Sequence, residues 1–272
     1  MSELEPRSYN IRLRDHLVAY KRNVLGITPS GTWRQHEYGH ILPVGRRERN
    51  ITEPYRDEFW DYWGEQEKRG KHLHEGFPHL NSSQGLCFNL FFPFLANDGQ
   101  LVGLLSAALG LPNQTSEKAE FEYRAPDGSY VDFFLSNKQR DAYFEVKLSE
   151  TGFGGAAEDE EHIRKLDRIY VGRGLRFMPS FCERKLFLDN YQILRTIWQM
   201  RLDSDDEIFF VYPKANEQLR QAETVIRGCT LPALKARVHI VYLEDLLDSI
   251  ERLRLNDRAR AHYRQFRDKY VI

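Results

Sequence analysis

The sequence has few cysteines, no long apolar run and almost no net charge. Its three cysteines, Cys87, Cys182 and Cys229, lie far apart and form no C-x-x-C pair, which argues against a disulfide scaffold or a zinc site. No apolar stretch approaches the roughly 20 residues of a membrane-spanning helix. The first residues also lack the charged-then-apolar pattern of a signal peptide. We therefore expect a cytoplasmic protein with no membrane partner.

The net charge of −1 at pH 7 excludes a globally basic protein. A nucleic-acid partner would have to be held by local basic patches rather than by overall charge. The 272 residues, of which 41% are apolar, suffice for one large domain or two small ones with a sizeable core.

The most informative segment is residues 130–149, whose alternation predicts a β-hairpin. Apolar residues occupy one face of each arm, at Val131, Phe133 and Leu135 and then at Ala142, Phe144, Val146 and Leu148. Such period-two alternation is typical of half-buried strands. The opposite face carries Asp132, Glu145 and Lys147.

The register of this hairpin brings two acids together. If residues 137–140 form the loop, Ser136 lies opposite Asp141, and Asp132 lies opposite Glu145. Directly opposed Cβ atoms are roughly 4.5–5.5 Å apart, so the two carboxylates repel unless a positive charge lies nearby. Lys147 can supply part of that charge, and a hard cation such as Mg²⁺, which binds carboxylate and phosphate oxygens, can supply more. The hairpin therefore predicts a metal and phosphate site.

A plainer interpretation also fits these residues. An Asp followed thirteen residues later by Glu-x-Lys occurs by chance, and charges at alternate positions usually mark a solvated strand face. The pairing of like charges across the strands favours a site instead. So does the helix-rich segment that follows, which could cover the polar face.

The rest of the chain predicts helices alternating with short strands. Helices are expected at 8–25, 57–69, 83–92, 101–109, 158–169, 184–202, 214–224 and 243–270, and strands at 119–124, 208–212 and 238–243, with residues 26–57 irregular. From the helix at 101–109 onward the order is helix, three antiparallel strands, helix, strand, helix, strand.

Several other motifs allow two interpretations. His72, His74 and His79 do not share one helical face, so a metal site there is disfavoured. The run from Arg46 to Arg49 predicts a solvated loop more than a phosphate contact. Polar Gln84 and Asn89, within an apolar helix, predict either ordinary core hydrogen bonds or a site. The arginines of residues 252–267 predict either a solvated helix with ion pairs or a nucleic-acid surface.

The element order, with Asp132 on the second strand and Glu145-x-Lys147 on the third, resembles the PD-(D/E)XK nuclease superfamily, although Val131 replaces the usual proline. The sequence also resembles, over most of its length, a group of bacterial restriction-endonuclease-like proteins. That resemblance rests on Tyr38-x-His40-Ile-Leu-Pro43, on His79-Leu-Asn-Ser-Ser-Gln84-Gly-Leu-Cys-Phe-Asn89-Leu-Phe91, on Phe144-Glu-Val-Lys-Leu-Ser-Glu150, and on Tyr191-Gln192-Ile-Leu-Arg195.

The resemblance implies an α/β (α+β) fold of the restriction-endonuclease-like αβββαβ type, with a mixed central sheet flanked by helices. We expect a helical and irregular N-terminal extension at residues 1–78, packed on a nuclease-like domain at residues 79–272.

The resemblance also implies a metal-dependent nuclease acting on nucleic acid, most readily DNA. Asp132, Glu145 and the Val146 carbonyl would bind Mg²⁺, or Mn²⁺ in its place, and Lys147 would hold or activate water or stabilise charge on the phosphate. Additional candidates are Glu120, Glu122, Glu150, Gln84, Gln192 and Arg195. The alternative is a catalytically inactive nucleic-acid-binding or interaction protein on the same fold. Restriction-type enzymes often act as dimers, so a homodimer is compatible with the resemblance.

Overall fold

The computed structural model describes residues 7–96, 101–111, 118–137 and 139–272. The chain divides into two compact units: unit 1 comprises Met1–Asn113 and Leu243–Ile272, and unit 2 comprises Gln114–Tyr242. The predicted division into residues 1–78 and 79–272 uses a different boundary, because the apolar helix Ser83–Leu95 belongs to unit 1.

Helices make up most of the regular structure. In chain order they are α1 (Tyr9–Asn23), α2 (Arg56–Lys68), α3 (Ser83–Leu95), α4 (Val102–Ala108), α5 (Glu160–Lys165), α6 (Arg184–Asp189), α7 (Tyr191–Trp198), α8 (Glu217–Cys229), α9 (Leu243–Glu251) and α10 (Asp257–Tyr270). The strands are β1 (Gly31–Trp33), β2 (His36–Tyr38), β3 (Lys118–Arg124), β4 (Tyr130–Ser136), β5 (Asp141–Val146), β6 (Glu207–Tyr212) and β7 (Val238–Tyr242).

Unit 2 is built on one mixed sheet with the strand order β3-β4-β5-β6-β7. The first three strands pair antiparallel, and β5, β6 and β7 pair parallel. The parallel strands are linked by helical crossovers, as parallel pairing requires. Together with the helices that flank the sheet, this confirms the predicted restriction-endonuclease-like α+β fold.

Buried aromatic and aliphatic residues from both the sheet and the helices form the core of unit 2. From the sheet, Phe134, Tyr143 and Phe210 contribute, and from α7, Leu194 and Ile197. The other sheet face carries a row of stacked or tilted rings across neighbouring strands, which are Phe121, Phe133, Phe144, Phe209 and His239. Both faces therefore contain buried rings, so a polar side chain on either face near the strand centres loses much of its contact with water.

Several predicted elements differ in detail. The helix predicted at 184–202 is two helices, α6 and α7, separated at Asn190. The helix predicted at 243–270 is also two, because the Asn256 side chain accepts a hydrogen bond from Ala259 N at 2.8 Å and begins α10 anew. Within residues 26–57, predicted to be irregular, β1 and β2 form a hairpin whose turn residues Arg34 and Gln35 adopt φ of 47° and 68°. No glycine marks that turn, so its sequence signal is weak.

Three arginines of the C-terminal segment, Arg258, Arg260 and Arg267, form ion pairs within unit 1. Arg258 contacts Glu58 at 2.7 Å, and Arg267 contacts Asp248 at 2.6 Å and Glu251 at 2.9 Å. These contacts favour the interpretation of α10 as a structural helix. Among the residues that the structure describes, no helix combines the length and apolar character needed to cross a membrane.

Candidate functional site

The β4–β5 hairpin has the predicted register. Ser136 pairs with Asp141, and Phe133 pairs with Phe144. The ladder ends at this second pair, and Asp132 and Glu145 are the next residues along the two strands. The alternative of a solvated hairpin face is wrong for Glu145, because this side chain is only 1% exposed.

Glu145 lies between two cationic side chains. Its Oε1 is 2.8 Å from Lys147 Nζ, and its Oε2 is 4.0 Å from Arg195 Nη2. Both Oε atoms are buried, and among the described residues neither accepts a hydrogen bond of normal geometry. A buried carboxylate with so few hydrogen bonds is costly, so this group retains capacity to bind a further positive ligand.

Lys147 is held in its charged form. Burial alone would lower the pKa of this lysine, but the negative charges of Glu145, Asp132 and Glu150 raise the pKa above the ordinary lysine value. Its Nζ also donates a hydrogen bond to Gln192 Oε1 at 3.0 Å. A lysine in this state supplies a fixed positive charge and N–H donors, and it does not act as a base near neutral pH.

Asp132 is the carboxyl group of the pair whose charged form is disfavoured. Its Oδ2 accepts a hydrogen bond from Val146 N at 2.7 Å. Burial and then the charge of Glu145 raise the pKa of Asp132 well above the ordinary aspartate value, and Glu122 adds to this, while Lys147 and the Val146 N–H oppose it. The electrostatic coupling between Asp132 and Glu145 is what two neighbouring carboxylates produce.

Helix α7 contributes two polar side chains, Gln192 and Arg195. They are three residues apart and therefore share one face of the helix. Its apolar residues Ile193, Leu194 and Ile197 are buried in the core of unit 2, which leaves Gln192 and Arg195 beside the strands. The Arg195 guanidinium donates to Tyr130 O at 3.3 Å. Burial alone would lower the pKa of Arg195, but Glu145 and Asp132 raise it.

Gly154 is a part of this site that the sequence analysis missed. Its φ of +100° is unfavourable for other residues, and a Cβ at this position would lie 2.6 Å from Gln192 Nε2. Its carbonyl accepts a hydrogen bond from Gln192 N at 3.2 Å. The glycine-rich segment at residues 152–155 therefore supports Gln192. The glycine-rich sequence was the available signal for a close contact at this point. Nothing in the neighbouring sequence indicates that the contact is with Gln192.

The additional candidates occupy different environments. Glu122 adopts a φ of 47° on β3, and its charge acts on Asp132. Glu150 accepts hydrogen bonds from Leu148 N at 2.8 Å and Ser149 N at 3.0 Å, which stabilises the turn after β5. Glu120 pairs with Lys118 at 2.6 Å. Gln84 belongs to unit 1, where its Oε1 accepts a hydrogen bond from His74 N at 2.9 Å.

The structure thus brings Asp132, Glu145, Lys147, Gln192 and Arg195 together in unit 2. Within the described ranges, no cluster of three or more His, Cys, Asp or Glu side chains is arranged to hold a metal ion. A cation here would rest on the two carboxylates and would need further oxygens from the main chain, water or a ligand. Chemically, the arrangement presents a negative pair beside two cations, which suits a hard cation together with an anionic ligand.

Replacing Asp132 with Asn should raise the free energy of unfolding at pH 8 by about 1 kcal/mol. Because the pKa of Asp132 is raised in the folded protein, the folded state binds this proton more tightly than the unfolded state. Wild-type stability therefore falls as the pH rises from about 4 through the raised pKa. The amide has no charge to lose and can still accept the Val146 N–H.

Urea denaturation of both proteins in EDTA measures this effect. The advantage of D132N should be present at pH 8 and shrink toward pH 4. Equal stability of the two proteins at both pH values would mean that Lys147 already compensates the charge of Asp132.

Comparison with known proteins places the chain in a family. A search of curated proteins and a search of solved structures each gave no match. A model of the family described as restriction endonuclease associating with ARP matches residues 14–271. This match spans the β4–β5 hairpin, α7 and the apolar helix α3. The chain therefore belongs to the family described as restriction endonuclease associating with ARP.

Proposed function

We propose that this protein is a metal-dependent nuclease that hydrolyses phosphodiester bonds, most readily in DNA, at the Asp132–Glu145–Lys147 site of unit 2. The observation that carries the proposal is the buried Glu145, which contacts Lys147 at 2.8 Å on the strand next to Asp132. The family description, which names a restriction endonuclease, supports the same activity. The resemblance of these residues to the PD-(D/E)XK pattern supports it further.

The residues fit a divalent cation. All the available donors are hard oxygens, which Mg²⁺ and Mn²⁺ prefer. The Glu145 oxygens lack hydrogen bonds of normal geometry among the described residues, and the pKa of Asp132 is raised by burial and by Glu145. A charge of +2 between the two carboxylates would relieve both costs. Asp132 and Glu145 would therefore hold the ion, with the Val146 carbonyl as an additional oxygen.

A bound Mg²⁺ would supply Lewis-acid polarisation of the phosphate and lower the pKa of an attacking water. Lys147 would donate hydrogen bonds to the phosphate oxygens or to the water, and its positive charge would stabilise the negative charge that shifts in the transition state. The raised pKa of Lys147 makes it a donor at neutral pH rather than a base. Of the roles predicted from sequence, charge stabilisation is therefore the better supported one.

Gln192 and Arg195 would be positioning residues. Gln192 accepts a hydrogen bond from Lys147 Nζ at 3.0 Å and so orients the ammonium group. Arg195 lies 4.0 Å from Glu145 and donates to Tyr130 O, which leaves other N–H groups of its guanidinium for a phosphate. Cytoplasmic localisation and a homodimer remain expectations from the sequence and its resemblance.

The direct test is to incubate the purified full chain with single-stranded and double-stranded DNA and RNA, in Mg²⁺, Mn²⁺ or EDTA. We expect cleavage of DNA with either metal and none in EDTA. Cleavage that persists in EDTA would contradict the metal requirement. Binding of nucleic acid without cleavage under every condition would instead favour the inactive nucleic-acid-binding protein.

A further inference from the structure

Unit 1 contains a cavity that the nuclease site does not use. Its volume is about 540 Å³, within the range of ordinary small-molecule sites. Its lining includes two tryptophans, one arginine, two carboxylates and one histidine. These residues are Trp33, Trp60, Arg47, Glu48, Glu75 and His79. Part of this lining comes from the Tyr38–Pro43 and His79–Phe91 motifs, which the proposed catalytic site leaves unexplained.

Main-chain hydrogen bonds hold the lining segments together. Leu42 N donates to Pro78 O at 3.0 Å, and Gly31 N donates to Ile41 O at 3.0 Å. Gly31 is required for this close approach, because a Cβ there would lie 2.4 Å from Leu42 O. The buried Lys21 donates to Ile41 O at 3.0 Å. The cavity is therefore formed by a pre-organised backbone and is not a chance gap between surface side chains.

The two tryptophans give the cavity aromatic walls. Both are only partly buried. Trp33 meets the His79 ring edge-on at 4.9 Å between centroids, and the Trp60 Nε1–H donates to Glu48 O at 3.4 Å. These contacts fix the ring orientations. Fixed and partly exposed aromatic rings beside a cavity provide surfaces on which a nucleobase can stack.

His79 supplies a polar group that lacks a partner. Its Nε2 is buried, and no hydrogen-bond partner for it exists among the described residues. Burial, followed by the charge of Arg14, lowers the pKa of His79, so the ring is neutral near pH 7 and can donate or accept according to its tautomer. The carboxylates of Glu48 and Glu75 add acceptors to the same lining. A ligand with both donors and acceptors along one edge would satisfy these groups.

We propose that this cavity binds an unstacked nucleobase of the nucleic-acid substrate, with stacking on Trp33 and Trp60 and hydrogen bonding of the base edge to His79 and the cavity carboxylates. This inference rests on the proposed nuclease function and adds to it a base-recognition site in unit 1. Nucleic-acid proteins read an extruded base by this combination of aromatic stacking and edge hydrogen bonds.

Two tryptophans and two carboxylates could also suit a methylated ammonium group. The charges around the rings favour a nucleotide instead. The Arg34 guanidinium carbon lies 5.6 Å from the centroid of the Trp33 ring, and that of Arg47 lies 5.4 Å from the centroid of Trp60. Each ring therefore already carries a cation. A second cation would be repelled, whereas the phosphates that flank a base would be attracted.

The test uses the full chain in EDTA, so that binding is measured without cleavage. The probes are a fluorescein-labelled 12-nucleotide single strand and a 24-base-pair duplex with or without one unpaired adenine. Trp33→Ala should weaken binding of the single strand and of the duplex with the unpaired base by about 5- to 150-fold, which corresponds to the loss of one base–aromatic stack. Trp33→Phe should recover most of this loss.

Tyr38→Ala is the matched control, because Tyr38 lies on the same hairpin, is exposed, and does not line the cavity. We expect it to bind both probes within about twofold of wild type. His79→Ala should reduce discrimination between the duplex with the unpaired adenine and matched duplexes that carry guanine, cytosine or thymine at that position.

Wild-type affinity of Trp33→Ala for both probes would overturn the proposal. So would a trimethyl-lysine peptide that competes with the single strand for the cavity, since the site would then be a cation cage. Failure of this inference and of the nuclease function are distinguishable. Absence of cleavage with Trp33-dependent binding removes only the nuclease, and cleavage with Trp33-independent binding removes only the base site.

Discussion

Replacing Glu145 with Gln should lower the rate of nucleic-acid cleavage by about 10²- to 10³-fold or more. The amide keeps the shape of the side chain but removes the charge that balances Lys147 and Arg195. It also removes one of the two carboxylates that would hold the divalent cation. Initial rates at saturating Mg²⁺, on the substrate that wild type cleaves, measure the effect.

Glu207→Gln is a suitable control for this substitution. Glu207 begins the neighbouring strand β6 and forms an ion pair with Arg140 at 2.8 Å, and its side chain is 12% exposed. It pairs with Ala142, at the opposite end of β5 from Glu145. The control variant therefore loses a partly buried ion pair of the same sheet, and its cleavage rate should stay within about threefold of wild type.

The two variants separate loss of chemistry from loss of stability. Removing one partner of a buried pair is destabilising because the other charge is left uncompensated. In E145Q, however, Lys147 keeps the Gln192 contact and the charges of Asp132 and Glu150, so the fold should persist at 25 °C. A folded E145Q that cleaves within tenfold of wild type would refute the assigned site.

The register of the β4–β5 hairpin was accessible from sequence because the alternation of the arms and the loop length fix it. Each arm has one apolar face, and a one-residue slip would expose it. The sequence did not reveal what covers the charged face. Arg195 of α7, fifty residues further along the chain, lies 4.0 Å from Glu145, and no local pattern specifies that contact.

The division into units was not accessible for the same reason. Residues 243–272 join residues 1–113 through contacts between distant segments, whereas sequence patterns report only on neighbours.

The different environments of Glu120 and Glu122 were also not predictable from sequence. They stand two apart on one predicted strand, but Glu122 adopts a φ of 47°, which breaks the alternation. The role of Asn89 was also not accessible from sequence. The motif that contains Asn89 supported the family resemblance but did not reveal what the Asn89 side chain contacts.

Asn89 lies at the centre of a polar network inside unit 1. Its side chain is completely buried in α3. The Oδ1 atom accepts a hydrogen bond from Thr52 N at 2.8 Å, and Nδ2 donates to Gly85 O at 2.7 Å and to Asn50 O at 2.9 Å. Lys269 Nζ of α10 donates to the same Asn50 O at 2.6 Å. The network therefore links α3, α10 and the segment at residues 50–52.

Other buried groups depend on the same network. His262 of α10 lies with its Nε2 at 2.6 Å from Asn89 O and its Nδ1 at 2.7 Å from Thr52 Oγ1. Burial lowers the pKa of His262 to about 4, and burial lowers the pKa of Lys269 well below the ordinary lysine value. Neither His262 nor Lys269 needs an ionised carboxylate as a partner, because neutral carbonyl, amide and hydroxyl groups form their hydrogen bonds. Of the two interpretations of Asn89, core hydrogen bonding is the one that these contacts support.

Replacing Asn89 with Leu should therefore lower the free energy of unfolding by about 3–5 kcal/mol, because Thr52 N and Asn50 O would each lose a buried partner. Urea denaturation followed by tryptophan fluorescence measures the change, since Trp33, Trp60 and Trp63 all lie in unit 1. Asn23→Leu, at the exposed end of α1, is the control and should change stability by no more than about 0.5 kcal/mol. If N89L kept wild-type stability but lost cleavage, Asn89 would have a direct part in function, and the motif around it would mark a site rather than the core of unit 1.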